Sequence, residues 1–284
     1  MQKRSEGHFT GVSGAQLYYQ NWEEPEAVAT LVMTHGMAEH SEAYEHLAAG
    51  LLKFKINLTC WDLRGHGKSD GKRGFVANFI DYVLDLGFFL KHLENQKKLK
   101  LPYFLGGHSL GGLILLRYLL ENGAGQAKGV CLSSPLLGLS MPVPAIKDYA
   151  SHLLNRFLPT MTLNNEIKFE NLTHDKEILK SYYSDPFRHD KISSGVYLGM
   201  VENMQLLNSQ GGPSIKAPLL MQVAGDDLIV SRQASEDFFK TIAAQDKTIS
   251  IYEGFYHEIY NEIDRAKVFQ DLASFIHSHL ERPL

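Results

Sequence analysis

Three side chains far apart in the chain, Ser109, Asp227 and His257, have the types and order needed for nucleophilic acyl chemistry. A serine hydroxyl is a poor nucleophile near neutral pH. It needs a base within hydrogen-bond reach, and the base needs an acid to orient it. Ser109 lies in FLGGHSLGG (104–112), where Gly107-His-Ser109-Leu-Gly111 fits G-x-S-x-G. Glycine costs backbone entropy on folding, so glycines packed around one serine mark a tight geometry. The motif alone is weak, and its context carries the reading. An apolar run at Tyr103–Gly106 precedes it and the apolar stretch Leu113–Leu120 follows, as expected of a strand, a sharp turn and a buried helix.

The base is expected late in the chain. His257 in YEGFYHE falls in a loop between an apolar run and the final helical pattern. His277 and His279 sit within that helix and read as surface residues. His8, His46, His92, His152, His174 and His189 have no strand-end context and read as solvated or packed. The acid should follow a strand between serine and histidine, and PLLMQVA (218–224) ends in Gly225-Asp226-Asp227. The two aspartates compete. Asp227 has Val230 three residues on to anchor its loop, and Asp226 suits a helix cap or turn. An oxyanion needs two backbone donors. The N–H of Leu110, directly after the serine, is one. The other is expected from Met37 in the loop after ATLVMT (29–34), with His35 bracing that loop.

These residues need a scaffold that delivers several strand ends to one edge. Strands are predicted at Ala29–Thr34, Ile56–Trp61, Tyr103–Gly106, Val130–Ser133, Pro218–Ala224 and Thr248–Tyr252. Helices are predicted at Glu42–Leu52, Phe79–Leu93, Leu113–Leu120 and Arg265–His279. The alternation points to an α/β sheet. It breaks between about residues 135 and 209, where Pro142, Pro144, Pro159 and Pro186 and several helical patterns occur without a convincing strand. That stretch is too long for a simple loop and reads as a helical cap insertion. The remaining core is 1–134 and 210–284. Within the cap, Ile146, Tyr149, Leu153, Leu154 and Phe157 form an apolar stripe at helical spacing. The stripe either packs the cap onto the core, lines a substrate tunnel or meets a membrane. Ile146, Tyr149 and Leu153 are its candidate substrate contacts.

The 284 residues carry a formal charge of −4 without a long basic run, which argues against nucleic acid as a partner. Lys97-Lys98-Leu99-Lys100 reads as a solvated helix end. Cys60 and Cys131 lie in apolar strand-like runs and read as buried free thiols. MQKRSEGHFT lacks the apolar core of a signal peptide, and no apolar run suffices to span a bilayer. A cytoplasmic protein is expected, with contact at a membrane surface left open. No metal-ligand spacing and no nucleotide fingerprint occur, so neither metal nor cofactor is expected.

HGMAEHSEAY (35–44), DLRGHGKSDG (62–71), GGHSLGG (106–112), SYYSDPF (181–187) and YEGFYHE (252–258) together resemble the monoacylglycerol lipase and lysophospholipase branch of the α/β-hydrolases. The resemblance runs from about residue 10 to 280. It implies an eight-stranded, mostly parallel sheet with a helical cap, and cofactor-free hydrolysis of an acyl ester. The family's serine, aspartate and histidine correspond to Ser109, Asp227 and His257. Aligning back from Gln245-Asp246-Lys247 supports Asp227, whereas aligning forward from Gln222 favours Asp226. Glu39 matches a family glutamate beside the headgroup. The arginine usual before the motif tyrosine is Ala43 here, and a second histidine after the catalytic one is Tyr260. Those positions help hold the glycerol end in the lipase, so a strict monoacylglycerol preference does not follow.

Two rivals compete with a lipid-ester hydrolase. A serine aminopeptidase or amidase on the same scaffold would want an acidic amine-binding cluster. Glu166, Glu170, Asp175 and Glu177 are available, but Lys168 and Lys176 are interspersed and the group reads as a solvated face. A non-catalytic binding protein is disfavoured by the intact Ser109, Asp227 and His257.

Overall fold

The computed structural model describes residues 3–280, so the first two residues of the amino-terminal stretch and the last four of the chain lie outside it. The strands are β1 (Lys3–Thr10), β2 (Gln16–Glu23), β3 (Ala29–Thr34), β4 (Ile56–Trp61), β5 (Tyr103–His108), β6 (Val130–Ser133), β9 (Leu219–Ala224) and β10 (Lys247–Tyr252). They form an eight-stranded sheet of order β1-β2-β4-β3-β5-β6-β9-β10, in which only β2 pairs antiparallel to its neighbours. A short antiparallel pair, β7 (Thr162–Asn164) with β8 (Lys191–Ser193), lies in the insertion, where no strand was expected.

The central strands are apolar on both faces, as a parallel sheet covered by helices requires. Along β3, Val32 joins one core cluster while Leu31 and Met33 join the other; in β5, Leu105 and Phe104 divide the same way. One cluster is closed by α2 (Ile80–Asn95) and α3 (Leu110–Asn122), the other by α1 (Glu45–Leu52) and α8 (Arg265–Ser278). Cys60 and Cys131 are buried and unpaired in the second cluster, and burial pushes both thiols up. His279 corrects the surface assignment made for it. It is 3% exposed, its Nδ1 lies 2.7 Å from the Phe275 carbonyl, and its Nε2 lies 3.1 Å from Asp246 Oδ2.

The strands β1 and β2 have no counterpart in the hydropathy reading. Most of β1 is exposed or half-buried, and β2 buries Gln20 and Asn21. Those amides are satisfied by partners distant in sequence. Gln20 bonds to Arg4 and Ser41, and Asn21 bonds to Ser5 and Thr59.

Residues 135–209 run from β6 towards β9 and carry α4 (Ala145–Phe157), α5 (Lys176–Ser184) and α6 (Ser194–Gln210). Val196 and Leu207 of α6 are fully buried in the core cluster. No residue of α4 is buried. The remaining helix, α7 (Arg232–Thr241), covers the sheet beside β9 and begins at Ser231, whose hydroxyl caps the Ala234 N–H.

Candidate active site

Parallel strands end on one side of the sheet, and the loops after β3, β5, β9 and β10 therefore share one edge. Ser109 stands between β5 and α3 with φ 51° and ψ −117°, a conformation costly for a residue with a side chain. The flanking glycines make the turn possible. A Cβ at Gly107 would lie 2.6 Å from the Gly111 carbonyl oxygen, and one at Gly111 would lie 2.2 Å from that of Thr34. The turn holds Ser109 by its N–H to the Ser133 carbonyl, and Leu110 opens α3, where first-turn N–H groups lack helical acceptors.

The structure brings Asp227 to His257. The ring's Nδ1–H donates to Asp227 Oδ2 at 2.8 Å, and both side chains are at least 96% buried. Asp227 Oδ1 accepts the N–H groups of Ile229 and Val230 at 2.8 and 2.9 Å, and Val230 is fully buried. Asp226 has its N–H on the Phe255 carbonyl instead. Burial raises the Asp227 carboxyl, but the imidazole and the two N–H donors outweigh it and hold it below the usual carboxylate range. Burial likewise lowers the His257 imidazole, and the Asp227 charge reverses this, leaving its pKa above the ordinary value. Ser109 and His257 both line one cavity of about 250 Å³, although no hydrogen bond joins the hydroxyl to the ring here.

Met37 lines the same cavity. Its loop is fixed on both sides. His35 is fully buried, accepts the Leu63 N–H on Nε2 at 2.9 Å and meets the Gly36 carbonyl with Nδ1 at 2.7 Å. Burial pushes its pKa down to about 3, which keeps the imidazole neutral. Glu39 accepts the Gly36 N–H and, at 2.7 Å, the Tyr44 hydroxyl. The motif 35–44 is also tied to 62–71, through the Ser41 N–H on Asp62, and to the end of α5, through His40 Nε2 at 2.8 Å from Asp185 of SDPF.

Glu39 lies at the cavity as expected, but Ile146, Tyr149 and Leu153 do not. They are 78%, 66% and 44% exposed, which corrects their assignment as substrate contacts. Asp148 of α4 meets Tyr197 of α6, so this polar side faces inward, and of the stripe Ile146, Tyr149, Leu153 and Phe157 face out while Leu154 is half-buried. The apolar lining comes instead from Ile167, Phe169, Leu172 and Ile229. Sequence reasoning missed these, along with Arg188, His189 and Glu258. Only Glu258, adjacent to His257, carried a positional signal.

Glu258, Arg188 and Glu39 form a buried charged cluster. Burial raises Glu258, and the Arg188 charge more than offsets it, so this carboxyl sits below its ordinary range. Glu39, buried and facing Glu258, is shifted upward. Among the described residues, no group of three or more His, Cys, Asp or Glu is placed to hold a metal, and no helix is long and apolar enough to cross a membrane.

A family model described as "Serine aminopeptidase, S33" matches residues 25–264. The chain belongs to this family of α/β-hydrolases. It is 30% identical to the monoacylglycerol lipase of Mycolicibacterium smegmatis, over 98% of each protein. It is 27% identical to phospholipase YtpA of Bacillus subtilis, over 91% of this chain and 99% of that one. The crystal structure of Paleococcus ferrophilus monoacylglycerol lipase superposes with a TM-score of 0.77 at 29% identity, covering 98% of this chain and 99% of the other.

Proposed function

We propose that the protein is a serine hydrolase that cleaves acyl esters of lipid-like alcohols, a monoacylglycerol or a lysophospholipid, through an acyl-enzyme. The observation that carries this reading is the Asp227–His257 pair opening onto the cavity that also holds Ser109 on its strained turn. His257 takes the Ser109 proton as the oxygen attacks the ester carbonyl. The oxyanion forms against the amides of Leu110 and Met37. His257 then protonates the leaving alcohol, and water cleaves the acyl-enzyme with the same base. The apolar lining from Ile167, Phe169, Leu172 and Ile229 suits the acyl chain. The outward apolar face of α4 suits contact with a lipid surface. The lipase and phospholipase names of the relatives support the substrate class.

Peptide or amide cleavage is less well served. Amine recognition needs an acid free to pair with it. Glu166 pairs with Lys147, Asp175 with Arg265 and Glu177 with Lys180, while Glu39 and Glu258 share Arg188. Glu170, on the cavity wall, makes no ion pair among the described residues, and its carboxylate accepts the Tyr183 hydroxyl. The test is Ser109→Ala. It should abolish both turnover of p-nitrophenyl acyl esters and labelling by a fluorophosphonate probe. Undiminished turnover overturns the assignment. A wild-type protein that cleaves aminoacyl anilides but no acylglycerol favours the peptidase.

A further inference from the structure

Tyr260 lies three residues after His257, in the short helical turn Ile259–Asn261. The family pattern has a histidine there, at the glycerol end. Here the tyrosine is buried, and its hydroxyl lies 3.1 Å from Oε1 of Gln222, a fully buried residue of β9. The Gln222 amide can sit only one way round. Its Nε2 donates to the Val268 carbonyl at 3.0 Å and to the Tyr252 hydroxyl at 2.6 Å, and a carbonyl can only accept. Oε1 is therefore the acceptor, and Tyr260 is the donor.

That direction carries on towards the nucleophile. With its proton on Gln222, the Tyr260 oxygen accepts from its other partner, the Ser133 hydroxyl. Ser133 is fully buried at the end of β6, where it pairs with Gln222 across the sheet. Having given its proton to Tyr260, its hydroxyl turns a lone pair to His108 Nδ1 at 3.1 Å, and its carbonyl lies equally close to the same nitrogen. Both call for a donor, so His108 carries its proton on Nδ1. Burial keeps that ring neutral, with its pKa pushed down to about 3. The Ser133 carbonyl also accepts the Ser109 N–H at 3.0 Å, and the His108 ring stands 4.8 Å from the His257 ring. One network thus reaches both partners of the reaction: Ser133 and His108 hold the turn of the nucleophile, and Tyr260 belongs to the loop of the base. How these two segments are held decides the approach of base to nucleophile, and a misplacement of about 1 Å can cost about 100-fold in rate.

We infer that Tyr260 is a positioning residue: its hydroxyl ties the loop of His257 to the turn of Ser109 through Ser133 and His108, and so sets the approach of base to nucleophile. A position at the glycerol end in the family pattern is rebuilt here as part of the scaffold. This inference rests on the ester-hydrolase reading above.

The experiment compares wild type, Tyr260→Phe and Tyr252→Phe by kcat and KM on p-nitrophenyl decanoate, by the rate of fluorophosphonate labelling and by melting midpoint. Tyr260→Phe keeps the ring and removes the hydroxyl. Its kcat should fall about tenfold, the worth of a buried hydrogen bond, with KM kept, and labelling should slow by the same factor. Tyr252→Phe cuts the network beyond Gln222, whose amide Val268 still orients, and should stay within a few-fold of wild type. A folded Tyr260→Phe protein with kcat unchanged overturns the inference. So do equal losses in the two variants, which would mark a general loosening of the core. In wild type, ring-nitrogen NMR of labelled histidine should place the His108 proton on Nδ1. A proton on Nε2 overturns the inference even if Tyr260→Phe does not fold. If wild type neither hydrolyses the ester nor takes the fluorophosphonate label, the ester-hydrolase reading itself fails and this inference falls with it.

Discussion

The floor and the roof of the cavity are built on opposite principles. The floor is made of strand-end loops whose polar groups are almost all held from behind: Asp227 by two amides, His35 by Leu63, Asp62 by Ser41 and Lys68. The insertion above it is held less evenly. Its α4 lines none of the cavity and has no fully buried residue, while its 172–175 stretch clamps the histidine loop. Leu172 accepts the Glu258 N–H, Thr173 bonds to the Asn261 carbonyl, and His174 meets Glu262 at 2.8 Å. A floor that sets angles to fractions of an ångström needs rigid elements, and a roof that admits a substrate need only be attached at a few points.

The largest effect should come from the acid in the floor. Asp227→Asn keeps an acceptor for the Ile229 and Val230 amides but presents the wrong partner to the imidazole. By analogy with other serine triads, kcat should drop about 10⁴-fold. Asp226→Asn should stay within a few-fold. Steady-state kinetics on a single p-nitrophenyl ester separates them, and equal losses would mean that the floor does not discriminate between adjacent carboxylates.

The same pair sets the pH dependence. His257 must be neutral to accept the Ser109 proton, and its pKa lies above the ordinary imidazole value because of Asp227. As pH falls through that raised value, kcat/KM should fall tenfold per unit, so the acid limb lies above about 6.5. In Asp227→Asn the supporting charge is gone, and the residual activity should show the limb shifted to lower pH. His35 and His108, both pushed down to about 3 by burial, contribute no limb in the working range.

Gly111→Ala tests the rigidity of the floor through stability. The new Cβ meets backbone oxygens of Thr34 and His35, neither of which can swing aside. A cost of about 1–3 kcal/mol is expected. Thermal unfolding should register it as about 2–4 °C for each kcal/mol. An unchanged midpoint would show that the turn yields.

What the sequence revealed follows the same division. Ser109 and His257 were legible because each must follow a strand, and β5 and β9 are fully buried, largely apolar runs while β10 alternates. The strand end narrowed the acid only to Asp226 or Asp227. The amino-terminal hairpin was invisible because Gln20 and Asn21 are buried by virtue of partners at Ser41 and Thr59, which no local pattern shows. Arg188 was invisible for a related reason. Its neighbours Glu39, Tyr182 and Glu258 come from three separate segments. The α4 stripe was legible as a stripe, but periodicity gives the angle between side chains and not which way the helix is turned. Asp148 settles that, by bonding to Tyr197 on the inner side.

The roof therefore makes the smallest stability prediction and the sharpest contrast. Ile146, Tyr149 and Phe157 are 78%, 66% and 69% exposed, and Met141 in the approach to α4 is 73% exposed. Replacing the first three by serine removes little that is packed, so thermal unfolding should move by no more than the equivalent of about 0.5 kcal/mol per site. The stripe would then matter only where water is replaced by lipid. At about 25 cal/mol for each Å² of apolar surface transferred, three large side chains account for several kcal/mol of partition energy. Co-sedimentation with zwitterionic phosphatidylcholine vesicles should fall at least tenfold in the triple variant, with the melting midpoint kept. A variant that unfolds early would show instead that α4 is packed against the protein, and the division between rigid floor and open roof would not hold.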